Sequence, residues 1–99
     1  MNEYKVKALR QHFTREGVYW ECNLYRNGKK VAEVENRGDG GANWYYWAEG
    51  CREFEQELVQ LAAVAVPQYE GDLDMYFETL ISAYEDEKEA RKLARKNAA

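Results

Sequence analysis

The chain has 99 residues and a mass of 11.6 kDa, with 18 acidic and 14 basic side chains and a formal charge of −4. That length builds one small domain, residues 1–99, and excludes an enzyme with separate cofactor and substrate modules. The longest apolar run, residues 61–66, falls far short of the roughly 18 residues of a membrane helix, and Met1-Asn2-Glu3-Tyr4 lacks the apolar stretch of a signal peptide, so a cytoplasmic protein with no membrane contact is expected.

Tyr4, Val6 and Ala8 alternate with Glu3, Lys5 and Lys7, the period of a half-buried strand. The polar segment 10–15, which contains His12, reads as the loop that follows. A second strand sets Val18, Trp20, Cys22 and Leu24 on one face and Tyr19, Glu21, Asn23 and Tyr25 on the other. A third, over 29–36, puts Ala32 and Val34 toward the core. Parity selects the turn between these two strands. In an unbroken ladder, a two-residue Asn27-Gly28 loop sets Cys22 opposite Glu33 and mixes the faces. A three-residue loop over 26–28 sets Cys22 opposite Ala32 and Trp20 opposite Val34, with Gly28 left-handed, and is therefore expected.

Three glycines fall within residues 38–41, a segment suited to positive-φ turns or close backbone approach. Trp44-Tyr45-Tyr46-Trp47 follows as a short fourth strand, and alternation sends two rings to each face. The period then changes. Phe54, Leu58, Leu61 and Ala65 lie at helical spacing, and Pro67 stops that helix. Asp72 or Asp74 caps a second helix, whose stripe is Leu73, Phe77, Leu80, Ile81 and Tyr84. Past Tyr84 the stripe fades, and residues 85–99 form a projecting helical end that frays. Strands first and helices second make an α+β fold: an antiparallel sheet of three to four strands, then two helices packed on one face.

Few residues carry chemistry. His12 is the single imidazole, Ser82 the single serine, and Cys22 and Cys51 are too far apart in sequence for a zinc pattern. Cys22 falls on the core face, where a thiol is inert, so no His12 thiol pair is expected and both cysteines are expected to be free. The glycine cluster has no following Lys-Ser or Lys-Thr and opens no helix, so it is not a phosphate loop, and Asp39, Asn43 and Glu49 miss calcium-loop spacing. Glu53/Glu57 and Asp72/Asp74 read as solvated helix faces. No catalytic residue, metal or cofactor is expected.

The charge layout is uneven: residues 1–30 sum to +4, residues 31–84 to −9 and residues 85–99 to +1. An acidic middle attracts basic proteins and repels nucleic acid. Trp and Tyr dominate interface hot spots, so Asp39, Trp44, Tyr45, Trp47 and Glu49 are the candidate partner-binding residues. The alternative is a nucleic-acid-binding sheet face built on Lys5, Lys7, Arg10 and Lys30. Pairing of the charged end between two chains as a homodimer is a third expectation.

The run Glu33-Val34-Glu35-Asn36-Arg37-Gly38-Asp39-Gly40-Gly41-Ala42-Asn43-Trp44-Tyr45 resembles a stretch of small phage and plasmid proteins. In those an Asn-Asp-Gly-x-Gly-Gly-x-Asn-x-Tyr pattern follows a β-hairpin; Arg37 stands here where the pattern has Asp. The likeness is one of type, to host-takeover factors such as anti-CRISPR and anti-restriction inhibitors, and it carries no residue roles. It implies a non-enzymatic, acidic inhibitor that occludes a basic site on a host protein, as in a nucleic-acid-binding complex.

Overall fold

The computed structural model describes residues 2–98. Four strands, β1 (Tyr4–Thr14), β2 (Gly17–Arg26), β3 (Lys29–Asn36) and β4 (Trp44–Trp47), form one antiparallel sheet in the order β1-β2-β3-β4. Helix α1 (Phe54–Ala65), a single 3-10 turn (Pro67–Tyr69) and helix α2 (Leu73–Ala98) follow. The fold is α+β, with the strands preceding the helices.

The first strand is longer than its alternation suggests. It runs through the polar segment to Thr14, so His12 sits on a strand and not in a loop, paired with Tyr19. A bulge makes this possible: the register shifts between Lys7 and Arg10, and Ala8 takes a left-handed φ of 56°. Past the bulge the phase of alternation flips, which hides the strand from a period-two reading.

The β2–β3 turn corrects the parity argument. The tip is the two-residue loop Asn27-Gly28, with φ of 50° and 85°, the left-handed pair of a type I′ turn. Arg26 pairs with Lys29 and Tyr25 with Lys30, and the register then shifts so that Leu24 meets Ala32 and Cys22 meets Val34. The extra residue is Val31, and both Val31 and Ala32 are buried. Face agreement is therefore restored by a bulge inside the hairpin and not by lengthening the loop.

The inner face of the sheet carries Tyr4, Val6, Trp20, Cys22, Leu24 and Val34, which pack with Leu58 of α1 and Phe77 and Ile81 of α2 into one core. Phe77 is the centre of it: the ring is fully buried, stacked on Trp20 (centroids 5.8 Å) and edge-on to Tyr45 (5.8 Å). In α1 the buried pair is Leu58 and Ala62, and the expected Ala65, one turn further on, is exposed.

A polar clamp ties α1 to the sheet. Glu57 Oε1 accepts from the Tyr4 hydroxyl (2.6 Å) and Arg26 Nε (2.9 Å), while its Oε2 accepts from the Asn2 amide (2.7 Å). The Arg26 guanidinium also lies 4.2 Å over the Phe54 ring. Arg26 and Tyr4 hold the Glu57 carboxyl down at about 2. Glu57 is thus not the solvated helix carboxylate that its neighbours are.

Asp72 caps α2, its Oδ1 accepting from the Met75 N–H at 3.0 Å. The helix is regular to Ala98, and every described residue past Tyr84 is exposed, as a projecting end requires.

The glycine loop lies against the sheet. A Cβ on Gly38 (φ 75°) would lie 2.7 Å from the Val18 carbonyl oxygen, and one on Gly17 2.6 Å from the Gly38 oxygen. The two glycines let the loop lie flat on the start of β2, with the Gly38 N–H donating to Asn36 Oδ1 at 2.8 Å.

Candidate binding face

The helices cover one side of the sheet and leave the other open. Strand register arranges the open side in rows: Lys5–Tyr25–Lys30, then Lys7–Asn23–Glu33–Tyr46, then Arg10–Glu21–Glu35–Trp44. Each longer row runs from a cation on β1, through one carboxylate (Glu33) or two (Glu21 and Glu35), to an aromatic ring on β4. The face is therefore polarised, with its acidic and aromatic half on β3 and β4.

Glu35 organises that half. Its Oε1 accepts from the Tyr46 hydroxyl at 2.6 Å and its Oε2 from the Tyr19 hydroxyl at 2.8 Å. These two phenols keep its carboxyl below the usual range, and the same bond is the first cause that pushes Tyr19 up to about 12. Arg37 lies 4.4 Å over the Trp44 ring, and its Nε is 3.8 Å from Glu35. Two half-exposed rings, Trp44 (50%) and Tyr46 (48%), are thus held in place by a carboxylate and a guanidinium. Beside them a concavity of ≈ 300 Å³ is walled by Arg10, Glu21, Glu33, Glu35 and Tyr46, with Asn23 among its lining residues.

The five residues first proposed for partner binding separate. Trp44 is on the open face, and Asp39 and Glu49 are exposed before and after β4. Tyr45 and Trp47 point the other way. The Tyr45 hydroxyl donates to Asp74 Oδ1 (3.1 Å), its ring packs on Phe77, and Trp47 packs against the core. They are structural rings, and the expected division of two in and two out holds. Sequence reasoning passed over Tyr46 and Glu35; alternation from Trp44 gives Tyr46, but only the β3–β4 register reveals that Glu35 lies beside it.

The four cations of the alternative reading are on the open face or its rim, each already matched. Lys5 is 3.6 Å from Glu87 and 3.8 Å from Glu3, Arg10 is 3.0 Å from Glu21, and Lys30 is 2.9 Å from Glu33. Lys7 sits 4.7 Å over the Tyr25 ring. The three ion pairs weaken the field that a phosphate backbone would feel, while Lys7, over a neutral ring, keeps its charge.

The thiols and the imidazole are not brought together. His12 is exposed and shares a register pair with Tyr19 on the open face, whereas Cys22 is buried on the opposite face. Burial pushes the Cys22 thiol up to about 12, far from a nucleophile's range. Both Cys22 and Cys51 are free. Among the described residues no group of three His, Cys, Asp or Glu side chains is placed to hold a metal ion, and no helix is long and apolar enough to cross a membrane. No protein-family model, curated protein or solved structure matches the chain.

Proposed function

We propose that this chain is a non-enzymatic binding protein that docks the β3–β4 half of its open sheet face on a basic surface of a partner protein. The observation that carries the reading is the pair of half-exposed rings, Trp44 and Tyr46, fixed by Arg37 and Glu35 and flanked by exposed Asp39 and Glu49. Rings already locked in one orientation lose little rotamer freedom on binding, and surrounding carboxylates steer a cationic partner and reject an anionic one. When the partner's basic surface is itself a nucleic-acid site, docking there excludes the nucleic acid by bulk and by charge. The counter-defence role implied by the Glu33–Tyr45 resemblance, in a cytoplasmic setting, belongs to the same proposal.

Affinity capture from a bacterial lysate, run with and without nuclease and eluted along a salt gradient, tests this. A protein retained after nuclease, released by salt and lost from the Trp44→Ala/Tyr46→Ala variant is the expected result. Retention that disappears with nuclease would replace the reading with nucleic-acid binding through the β1 cations.

A further inference from the structure

The phase of the β3–β4 ladder exposes a row of unused backbone groups. The Ala48 N–H donates to the Val31 carbonyl at 2.9 Å, and the register pairs Ala32 with Trp47 and Glu33 with Tyr46. Backbone groups alternate in direction along a strand, so those of Tyr46 and Trp44 face β3 as Ala48 does, and those of Asn43, Tyr45 and Trp47 face away. The Asn43 N–H is taken by Asp74 Oδ2 at 3.1 Å. The backbone N–H and C=O groups of Tyr45 and Trp47 have no partner among the described residues, since β4 is the last strand of the sheet.

The two edges of the sheet are treated differently. The β1 edge is interrupted by the bulge at Ala8, carries Lys5, Lys7 and Arg10, and has α2 packed against it. Those are the devices by which proteins discourage strand addition. The β4 edge lacks the bulge and the cations: its four residues are all aromatic, with no proline and no register shift, and its protection is confined to its shortness and to Asp74 of α2, which takes the outward Asn43 N–H at its start.

We propose that the β4 edge is a strand-addition site, at which an extended basic segment of the partner pairs with Tyr45 and Trp47 as a fifth strand. The inference rests on the binding reading above and specifies how the partner is held. Side chains of the added strand alternate between the faces, so one set falls beside Trp44 and Tyr46 and the other beside Tyr45 and Trp47. The open-face set meets the faces of the Trp44 and Tyr46 rings, which favours Lys or Arg, and the inner set meets core rings, which favours apolar residues. Acids stand at both ends of the edge: Asp72 and Asp74 act on the Tyr45 hydroxyl at one end, and Glu49 follows Trp47 at the other. This charge also argues against a second copy as the occupant. Antiparallel pairing of Tyr45 with Trp47 of another chain would set Asn43, with Asp74 bound to it, opposite Glu49 of that chain.

The test uses two synthetic peptides, acetyl-(Lys-Val)3-amide and a twin N-methylated at every residue, which keeps charge and side chains but donates no backbone hydrogen bond. Binding to the full chain is followed by tryptophan fluorescence and by amide hydrogen exchange. The expected result is affinity for the parent peptide about tenfold or more above that of the twin, with exchange of the Tyr45 and Trp47 amides slowed about tenfold at a parent-peptide concentration about ten times its Kd. Equal binding of both peptides without that protection overturns strand addition and leaves the side-chain face reading intact. Failure of both to bind overturns the strand site and the basic-partner reading together. Protection of the two amides without peptide, with a doubled mass by light scattering, gives the edge to a second copy and overturns the proposal.

Discussion

Phe77→Ala is the sharpest test of how the helices are seated on the sheet. The ring is fully buried, and it joins α2 to β2 by stacking on Trp20 and to β4 by meeting Tyr45 edge-on. Truncating a buried phenylalanine costs about 3–5 kcal/mol when the site relaxes only partly. Relaxation is limited here because two large rings form the walls and one of them, Tyr45, is tied by its bond to Asp74. For a domain of this size each kcal/mol lowers the midpoint by about 4–8 °C, so a drop of at least about 12 °C is expected. Thermal melts followed by far-ultraviolet circular dichroism measure that drop, and urea unfolding followed by tryptophan fluorescence measures the loss in kcal/mol. Phe77→Leu retains most of the volume and is expected to cost about 1.5 kcal/mol, which keeps the comparison readable if the alanine variant unfolds. An alanine variant destabilised by less than about 1 kcal/mol would refute the packing argument, since a ring so enclosed cannot be lost at that cost.

Other perturbations probe separate features. Glu57→Gln is expected to lower stability at neutral pH and to flatten its acid dependence: the folded carboxyl titrates at about 2, below its ordinary value, so its contribution is full above about pH 4.3 and is lost as pH falls toward the folded value. Stability curves from pH 2 to 7 that stay parallel for the two proteins would contradict the clamp. Gly38→Ala is expected to cost more than about 2 kcal/mol, because a positive φ is compounded by backbone contact with Val18. Gly40→Ala, with open space around it, should cost about 1 kcal/mol from its φ alone. Thermal melts that rank the two equally would show that the loop does not lie on β2. Cys22 should resist N-ethylmaleimide in the folded protein and react once it is denatured, a contrast read by peptide mapping. Fast native labelling at Cys22 would place it outside the core.

Much of the fold is legible because alternation and helical spacing survive where the backbone is regular. Trp20, Cys22 and Leu24 declare the inner face of β2, and Phe77 and Ile81 the buried side of α2. What is hidden lies at irregularities. The bulge at Ala8 flips the phase of β1, so its second half reads as loop, and the bulge at Val31 repairs a register that a strict ladder forbids. A bulge adds one residue without a compositional mark, so a parity argument sees the mismatch and assigns it to the wrong place. The clamp on Glu57 is hidden for another reason. Its partners are 53 and 31 residues away in sequence, and a carboxylate on a helix's polar side carries no sign of the sheet residues it will meet.

The candidate face is legible by half. Four consecutive aromatics announce an unusual strand, and alternation divides them, but sequence alone does not say which pair is covered by helices. The answer depends on Phe77 and Asp74 arriving from α2 to take Tyr45. Glu35 enters only through register, since it lies nine residues from Trp44 along the chain and directly across the ladder from it.

The central claim is that Trp44 and Tyr46 carry partner binding, and comparative capture tests it most directly. The wild type, the Trp44→Ala/Tyr46→Ala variant and a Val64→Ala control on the far, exposed side of α1 are loaded equally, and the salt-released, nuclease-resistant protein is quantified by mass spectrometry. Two hot-spot rings at about 1–2 kcal/mol each predict a loss of roughly 30-fold or more in affinity for the double variant and none for the control. Equal capture by all three, with the double variant folded by circular dichroism, would contradict the account and move the interface away from the β3–β4 face.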